Sequence, residues 1–382
     1  MGKTYDAVVI GAGVFGAWTA WHLLRAGQRV LLVDKYGPAN ARASSGGETR
    51  VIRMAYGADE IYTRMSQQSL PAWTNLFARI GSPELFRETG VLSLIAAEDA
   101  LATQSVAVLT RNGIRHEVLD HSTLVQRYPQ IAVPPGGWGI FEPDSGGLLA
   151  RRGVQAVVAD NLQAGAELLL AQVDAPAGDT HLAEIRIDSG EAIRADRFVF
   201  ACGPWLGNVL PDVLGGRIFP TRQEVFYFGT AQDRRFCPPN LPIWLDFGCD
   251  YYGLPDIDGR GFKVAHDAHG ESFDPDTLER VATPARIAHA REFLARRFPA
   301  LAAAPLLASE VCQYENTCNG DFVIDRHPAF DNVWIAGGGS GHGFKHGPAV
   351  GAYLVGRMLE DTPAEPRFSI ATKQGAQKRE VH

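Results

Sequence analysis

The feature that most constrains the fold of this chain is a glycine-rich turn between a strand and a helix near its N-terminus. Residues 5–10 (YDAVVI) form a short β-rich run, residues 11–16 read GAGVFG, and residues 17–26 supply helix formers that end at a glycine. A second apolar run, residues 29–33 (RVLLV), closes with Asp34. The segment predicts a βαβ unit of about thirty residues, whose crossover length requires parallel strands.

The glycines of this turn indicate a phosphate-binding loop. Gly11 and Gly13 let backbone N–H groups approach a phosphate, and Gly16 lets the helix pack closely. The helix that starts there directs its positive dipole end at the phosphate. Asp34 is placed to accept hydrogen bonds from a ribose, which disfavours NADP. A bare GxGxxG also occurs in turns that bind nothing, and this unit alone leaves FAD and NAD both open.

Composition sets the broad class of the protein. The 382 residues are 46% hydrophobic and 21% charged, which suits a globular chain of one or two domains. The net charge of -7, without a run of like charges, argues against a nucleic-acid partner. We find no apolar stretch of about 18 residues and no signal-peptide layout, so we expect no membrane partner. Five cysteines without a tight CxxC indicate neither a disulfide framework nor a metal site, and we expect a cytoplasmic protein.

The remaining chain predicts a mixed fold. Apolar periodicity and turn residues predict helices over 61–80, 147–164, 284–297 and 348–359. They predict strands over 88–96, 166–173, 197–202 and 332–336. Residues 217–263 are rich in aromatic and β-branched side chains, which is typical of an antiparallel sheet, whereas 37–48 suits an ordered loop over a ligand.

Four separated segments resemble the FAD-dependent amine oxidases of the monomeric sarcosine oxidase and N-methyltryptophan oxidase group, within the D-amino-acid oxidase superfamily. They are the GAGVFG unit, residues 47–57 (GETRVIRMAYG), residues 252–266 (YGLPDIDGRGFKVAH) and residues 312–345 (CQYENTCNGDFVIDRHP through GGGSGHGFK). The resemblance implies an α/β fold with a Rossmann-like FAD-binding domain from 1–82, 142–215 and 309–370. A second, α+β substrate domain with a mixed sheet is expected from 83–141 and 216–308, and a loose tail from 371–382.

The resemblance also implies roles around the flavin. Cys312 matches a cysteine joined through sulfur to the flavin, with Cys318 as its rival. Lys263 matches a lysine that assists the reaction of reduced flavin with oxygen, where a fixed cation stabilises developing negative charge. Further cofactor-binding residues are expected at Ala12, Val14, Phe15, Lys35, Ser44, Ser45, Thr49, Arg50, Val173, Cys202, Gly203, Trp205, Gly339, Gly341, His342, Gly343, Phe344 and Lys345.

A second set of residues is expected to bind substrate. Arg50 and Arg53 are spaced i, i+3, so a helical or turn conformation would place both guanidinium groups on one side, and a solvated cluster is the alternative. By resemblance Arg50 lies beside the flavin ring, whereas Arg53 and Lys345 bind the substrate carboxylate. Tyr252 matches a tyrosine that lines the substrate pocket, although core packing would explain it equally.

Three positions depart from the family pattern. Gly46 and Asp267 stand where the sarcosine-acting enzymes carry histidine, and His346 replaces an apolar ring. Asp267 belongs to the substrate-binding set and favours a cationic or hydroxylated substrate group over sarcosine.

We therefore expect an enzyme that oxidises a secondary amine or N-alkyl amino acid to an imine, with oxygen reduced to hydrogen peroxide. Three alternatives stay open: a flavin amine dehydrogenase with another electron acceptor, an oxidase of fructosyl or cyclic imino acids, and a flavin-binding protein without turnover. The expected partners are a small amine carrying a carboxylate and molecular oxygen, and the expected state is a monomer or small homo-oligomer.

Overall fold

The computed structural model describes residues 4–96 and 98–378. Its helices are α1 (Val14–Arg25), α2 (Glu60–Arg79), α3 (Ala100–Arg111), α4 (His121–Arg127), α5 (Ala150–Gln163), α6 (Leu206–Val209), α7 (Pro211–Leu214), α8 (Pro284–Arg297) and α9 (Gly347–Leu359). Its strands are β1 (Thr4–Ile10), β2 (Val30–Asp34), β3 (Arg50–Ile52), β4 (Phe86–Arg87), β5 (Val91–Ile95), β6 (Glu117–Leu119), β7 (Trp138–Glu142), β8 (Gly146–Leu148), β9 (Glu167–Leu170), β10 (Glu184–Arg186), β11 (Ala192–Phe200), β12 (Phe219–Phe228), β13 (Ile243–Asp246), β14 (Tyr251–Leu254), β15 (Phe262–His266), β16 (Leu306–Asn316), β17 (Val323–Arg326) and β18 (Val333–Gly337).

The first sheet contains the predicted βαβ unit. Its order is β17-β18-β11-β1-β2-β9, with β10 paired to β11. Strand β1 runs parallel to both β2 and β11, and α1 makes the crossover between β1 and β2. Both strands are apolar along most of their length because helices and loops cover both faces of a parallel sheet. The α/β class expected from the sequence is confirmed.

The second sheet has the order β16-β12-β15-β14-β13-β5-β7-β6. Strand β12 pairs antiparallel with β15 and β16, as the composition of residues 217–263 predicts, whereas β13 pairs parallel with β5. The predicted division of the chain assigned residues 309–370 to the FAD-binding domain. Most of β16 lies in that segment, yet β16 is hydrogen-bonded to β12 of the second sheet, because that ladder extends over the whole of β12.

One local conformation considered for the sequence is not adopted. Residues 50–52 form strand β3 rather than a helical turn, because Arg50, Val51 and Ile52 pair with the distant strand β8. In the described part of the expected tail, Lys373 is buried and donates to the carbonyl of Arg367 at 2.5 Å, whereas most of its neighbours are exposed. Residues 379–382 lie outside the described residues.

Close packing of α1 against α9 holds the two glycine-rich segments of the chain together. Trp18 of α1 is fully buried. A Cβ added at Gly351 of α9 would lie 2.7 Å from the Trp18 backbone, so only glycine permits this approach. At the start of the same contact, a Cβ at Gly343 would lie 3.0 Å from the ring of Phe15. The loop before α9 therefore lies against the turn that opens α1.

Within the described residues, no helix combines the length and the apolar character that a membrane crossing requires.

Candidate active site

A cavity of about 360 Å³ lies at the carboxyl ends of β1, β2 and β11, where ligands bind in open parallel sheets. Strand β16 of the second sheet closes its other side. The cavity is lined by most of the predicted cofactor residues, namely Gly11, Gly13, Val14, Phe15, Asp34, Lys35, Ser44, Ser45, Arg50, Val173, Cys202, Gly203, Trp205, Cys312, Gly339, Gly341, Gly343 and Phe344. Five predicted cofactor residues do not line it, namely Ala12, Gly16, Thr49, His342 and Lys345.

Backbone geometry requires glycine at two positions of the turn. Gly11 has φ +106°, and a Cβ there would lie 2.3 Å from the carbonyl oxygen of Ala201. A Cβ at Gly16 would lie 1.8 Å from the carbonyl oxygen of Gly11. Gly16 thus has the helix-packing role predicted for it and no contact with the cavity.

Gly13 differs, because nothing in the protein excludes a side chain there. Its φ is −75°, which any residue adopts, and an added Cβ would meet the Ser45 hydroxyl at an ordinary 3.5 Å. Gly13 nevertheless lines the cavity at the first turn of α1, where a pyrophosphate needs close backbone approach.

This contrast predicts separable effects of two substitutions. We expect Gly13→Ala to leave the unfolding free energy of the apoprotein within about 0.5 kcal/mol of the parent, while FAD affinity falls at least tenfold. Gly16→Ala will instead destabilise the apoprotein by about 2 kcal/mol or more through overpacking. Thermal unfolding of both apoproteins measures the change in stability, and titration with FAD measures the change in affinity. Equal losses of stability in the two variants would contradict the assignment.

Side chains hold the turn from both flanks. The N–H of Ala12 donates to Asp34 Oδ2 at 2.8 Å, and the N–H of Val14 donates to Ser45 Oγ at 3.1 Å. Asp34 also accepts from the N–H groups of Tyr36 and Gly37 through Oδ1. Burial raises the pKa of Asp34 above its ordinary value. Asp34 therefore organises the turn in addition to facing the cavity.

A loop of the second sheet reaches the far end of the cavity, which the sequence did not reveal. The Asp276 carboxylate accepts from the Trp205 indole at 3.0 Å and from the Tyr36 hydroxyl at 3.3 Å. Lys35 lies 3.8 Å from the same oxygen. Asp276 belongs to an exposed, polar segment with no feature that marks a ligand site, so only the fold brings it to the cavity wall.

The other end of the cavity contains the predicted flavin-attachment residue. Arg50 Nη2 donates to Cys312 Sγ at 3.2 Å and to the carbonyl of Ser44 at 2.7 Å. The cysteine sulfur therefore lies within hydrogen-bond distance of a buried guanidinium. Cys318 is buried elsewhere, with its Sγ directed at the carbonyl of Thr372, and does not line the cavity.

Lys263 lies beside Arg50 in a buried pair of cations. Its Nζ donates to the Thr49 carbonyl at 2.9 Å, and Arg50 Nη1 donates to the same oxygen at 2.9 Å. Lys263 is 1% exposed. Burial, followed by repulsion from Arg50, lowers the pKa of Lys263 to about 7. Lys263 can therefore carry or release a proton near neutral pH.

A second cluster surrounds Tyr56 and includes both predicted carboxylate-binding residues. Lys345 Nζ donates to the Tyr56 hydroxyl at 2.5 Å, and His346 Nε2 lies 2.9 Å from that hydroxyl. The Arg53 guanidinium stacks 4.5 Å from the centre of the Tyr56 ring. Within the described residues, Arg53 Nη1 is buried without a hydrogen-bond partner. Tyr56 lies in a segment carrying the family resemblance, but no pattern in the sequence singled it out.

Burial strongly affects the titration of this cluster. It lowers the pKa of Lys345 well below its ordinary value, with Arg53 adding repulsion. It also lowers the pKa of His346, which stays neutral. Asp267 and Glu142 only partly offset this effect on Lys345. An anion bound between the buried basic side chains of Arg53 and Lys345 would therefore stabilise their charged forms.

Tyr314 connects the cavity with this second cluster. It lines the cavity, and its hydroxyl donates to Asp267 Oδ1 at 2.8 Å. Burial raises the pKa of Tyr252 to about 12, and Tyr252 interacts with the Tyr314 hydroxyl. The charge of Asp267 raises the pKa of Tyr56 and that of Arg53 lowers it. Asp267 therefore acts electrostatically on the cluster around Tyr56.

Gly46 has a structural reason for lacking a side chain. A Cβ there would lie 2.1 Å from the carbonyl oxygen of Asn40, and the Gly46 carbonyl accepts from Arg151 Nε at 2.7 Å. The 40–46 loop is thus folded too tightly for the histidine that the sarcosine-acting enzymes carry.

The cavity suits FAD rather than a metal ion. The described residues contain no cluster of three metal-ligating side chains, and all five cysteines are free thiols. The wall combines a glycine turn at a helix N-terminus, two further cavity glycines (Gly339 and Gly341) and a cysteine at the opposite end. When bound, the pyrophosphate would be held by the turn, and the flavin would lie near Cys312 and Arg50.

This fold and this site define the class of flavin-dependent oxidoreductases. A family model described as FAD dependent oxidoreductase matches residues 6–357. The chain belongs to this family, and FAD is its cofactor.

Similarity to curated proteins extends over almost the whole chain. Human (Homo sapiens) peroxisomal sarcosine oxidase is 31% identical over 375 residues, covering 94% of this chain and 93% of that protein. The N-methyl-L-tryptophan oxidase of Salmonella arizonae is 29% identical over 368 residues, covering 94% of this chain and 96% of that protein. The family resemblance expected from the sequence is thereby confirmed.

Solved structures share the fold at lower identity. L-Proline dehydrogenase from P. horikoshii superimposes with a TM-score of 0.85 at 19% identity, covering 99% of this chain and all of the other. Fructosyl amine: oxygen oxidoreductase (Amadoriase I) from Aspergillus fumigatus has a TM-score of 0.79 at 18% identity, covering 100% of this chain and 95% of the other.

Proposed function

We propose that the protein oxidises the CH–NH bond of a small secondary amine that carries a carboxylate, with oxygen as electron acceptor and hydrogen peroxide as product. When bound between the glycine turn and Cys312, FAD would supply the two-electron chemistry, taking up a hydride equivalent from the carbon beside the nitrogen and passing the electrons to oxygen. The observation that carries the proposal is the buried guanidinium of Arg53, with Nη1 unpartnered, near the buried amine of Lys345.

Arg53 and Lys345 have the chemistry of a carboxylate clamp. Arginine offers two parallel N–H donors, and charge-assisted bonds in a buried site are strong. A bound carboxylate would also favour the charged form of Lys345, because a nearby negative charge raises the pKa that burial has lowered. Sarcosine and N-methyl-L-tryptophan, which the similar curated proteins are named for, both contain a carboxylate and a secondary amine.

The substrate amine must lose its proton to react. A buried pocket disfavours an ammonium, so desolvation promotes the neutral amine. The same pocket holds Asp267, bonded to Tyr314, which would attract a second cationic or hydroxylated group of the substrate. This arrangement favours a substrate larger than sarcosine, including sugar-derived or cyclic imino acids.

Lys263 supports oxygen over another electron acceptor. A buried cation close to Arg50 stabilises the negative charge that oxygen acquires as it is reduced. A dehydrogenase is the second candidate, because the fold is also that of L-proline dehydrogenase and is therefore compatible with either electron acceptor.

A substrate panel read by peroxide formation tests the proposal. N-Methyl amino acids, fructosyl amino acids and cyclic imino acids would be compared with their decarboxylated amines. We expect turnover with at least one carboxylate and a rate at least tenfold lower for its decarboxylated form. Anaerobic bleaching of the flavin without peroxide formation in air would favour the dehydrogenase. A panel member oxidised equally well without its carboxylate would refute the clamp.

We further propose that Cys312 joins the flavin covalently. The Cys312 sulfur lines the end of the cavity where the flavin would lie and accepts a hydrogen bond from Arg50, so it is placed to form the carbon–sulfur bond. We expect acid-precipitated parent protein to retain its yellow flavin and Cys312→Ser to release it into the supernatant. Cys318→Ser is the matched control and should retain flavin, because Cys318 does not line the cavity. Flavin release from the parent protein would contradict the attachment.

A further inference from the structure

Glu315 is a carboxyl group in the cofactor cavity for which the proposed reaction has no use. It lies near the end of β16 and is 8% exposed. Its Oε1 accepts from the N–H of Gly339 at 3.2 Å. Its Oε2 is buried and has no hydrogen-bond partner among residues 4–96 and 98–378. A buried acceptor without a partner costs stability, so this atom indicates a ligand contact.

The groups around Glu315 are uncharged. Backbone of Gly203, Gly337 and Gly339 surrounds the carboxyl. The Cys202 thiol also faces it, and burial raises the pKa of that thiol, so the thiol stays protonated. Tyr314, the preceding residue on β16, directs its hydroxyl to Asp267. No cation compensates a charge on Glu315 in this environment.

The cations of the cavity wall are bound elsewhere. In the described chain the wall contains two cationic side chains, of which Arg50 binds Cys312 and Lys35 lies near Asp276. Against these two stand four carboxyl groups, those of Asp34, Asp174, Asp276 and Glu315. The pyrophosphate of FAD adds further negative charge. An ionised Glu315 would therefore be buried, unpaired and close to an anion, which is strongly unfavourable.

We propose that Glu315 binds FAD as a neutral carboxylic acid that donates a hydrogen bond to an oxygen of the cofactor, so that FAD binding is linked to proton uptake. A protonated carboxyl supplies a donor, whereas a carboxylate only accepts. The proposal rests on family membership and the cavity and is independent of the amine substrate.

The titration of the group agrees with this geometry. Burial raises the pKa of Glu315 to about 7, against the backbone N–H groups of Gly339 and Gly338, which lower it, so the apoprotein ionises this carboxyl near neutrality. A bound anion raises that pKa further, because it disfavours the carboxylate. FAD affinity should then be constant below about pH 7 and fall above it, by up to about tenfold per pH unit for one proton.

The test measures FAD affinity and not catalysis. Apoprotein of the Cys312→Ser chain, which cannot form a thioether, is titrated with FAD by flavin fluorescence from about pH 6 to about pH 9. Both chains also carry Lys263→Met, which removes the other group at the flavin end that titrates near pH 7. In this background we expect the dissociation constant to rise above about pH 7 with Glu315 and to stay flat in Glu315→Gln, whose amide donates at every pH. Asp174→Asn is the matched control, since it removes an exposed wall carboxylate, and it should keep the slope. An unchanged slope in Glu315→Gln, or affinity that increases with pH, would overturn the proposal.

A second measurement needs no substitution at Glu315. Calorimetric titration with FAD at about pH 8, in buffers of different ionisation enthalpy, reports the protons taken up on binding. We expect about one proton for the Cys312→Ser apoprotein. Binding without proton uptake would refute the linkage even if Glu315→Gln did not fold.

Discussion

Replacing Lys263 with Met will slow the reaction of the reduced flavin with oxygen by about 10²–10³-fold, because loss of one preorganised charge typically costs that much. Reduction by the amine should change less than about tenfold, since Lys263 contacts Thr49 and not the Arg53 cluster. Stopped-flow absorbance measures the two half-reactions separately. In the parent, reoxidation should slow as pH rises through the pKa of Lys263, about 7 in the apoprotein, because deprotonation removes the positive charge. The Met variant should lose this pH dependence.

Photoreduced enzyme makes this experiment independent of the substrate. The flavin is reduced by light and mixed with oxygenated buffer, so no amine is needed. Lys373→Met is the control, because Lys373 is also a buried lysine and binds Arg367 away from the cavity. Equal slowing of both half-reactions in Lys263→Met would show that the lysine supports the structure of the site and not oxygen reduction.

Replacing Arg53 with Met will lower kcat/KM for the carboxylate substrate roughly 30- to 1,000-fold, which corresponds to a loss of about 2–4 kcal/mol in transition-state stabilisation. The loss is large because the partner carboxylate would be buried beside a single remaining cation, Lys345. Arg53→Lys should recover part of the loss, since it restores charge but not the two parallel donors. Initial rates and flavin perturbation by a non-reactive carboxylate measure catalysis and binding independently.

The control for Arg53 is an exposed arginine. Arg64 of α2 pairs with Glu60 at the surface, so Arg64→Met should leave kcat/KM within about twofold. If Arg53→Met weakened the reaction of amines with and without a carboxylate equally, Arg53 would maintain the pocket and not bind the carboxylate.

Local patterns predicted those elements whose causes lie within a short segment. The run from Tyr5 to Asp34 folds as expected, because strand, turn and helix signals follow one another directly. Helix α8 begins and ends where its pattern does, since Thr283 caps it at one end and Pro299 forces Phe298 out of the helical conformation at the other. The family membership expected from four separated segments is confirmed by the comparisons.

Long-range pairing explains why residues 50–52 do not form a helical turn. The i, i+3 spacing of Arg50 and Arg53 favoured a turn, but Arg50 pairs with Leu148, which the local sequence does not include. Arg50 starts strand β3 and Arg53 directly follows it, and the two side chains diverge, Arg50 to Cys312 and Arg53 to Tyr56. Their separation into a flavin contact and a substrate contact therefore depends on the sheet.

The sequence by itself determined the phosphate-binding turn, because strand, glycine-turn and helix signals follow one another within one βαβ unit and Gly16 is crowded by Gly11 of the same turn. The clash that requires glycine at Gly11 is with the distant Ala201 and belongs to the tertiary structure. Only the tertiary structure decided which distant side chains meet in the cavity. It brings Asp276 to Trp205 and leaves Glu315 Oε2 buried without a partner. Burial and charge balance are properties of the folded chain as a whole, so a carboxyl that needs a proton to bind FAD has no signature in the sequence.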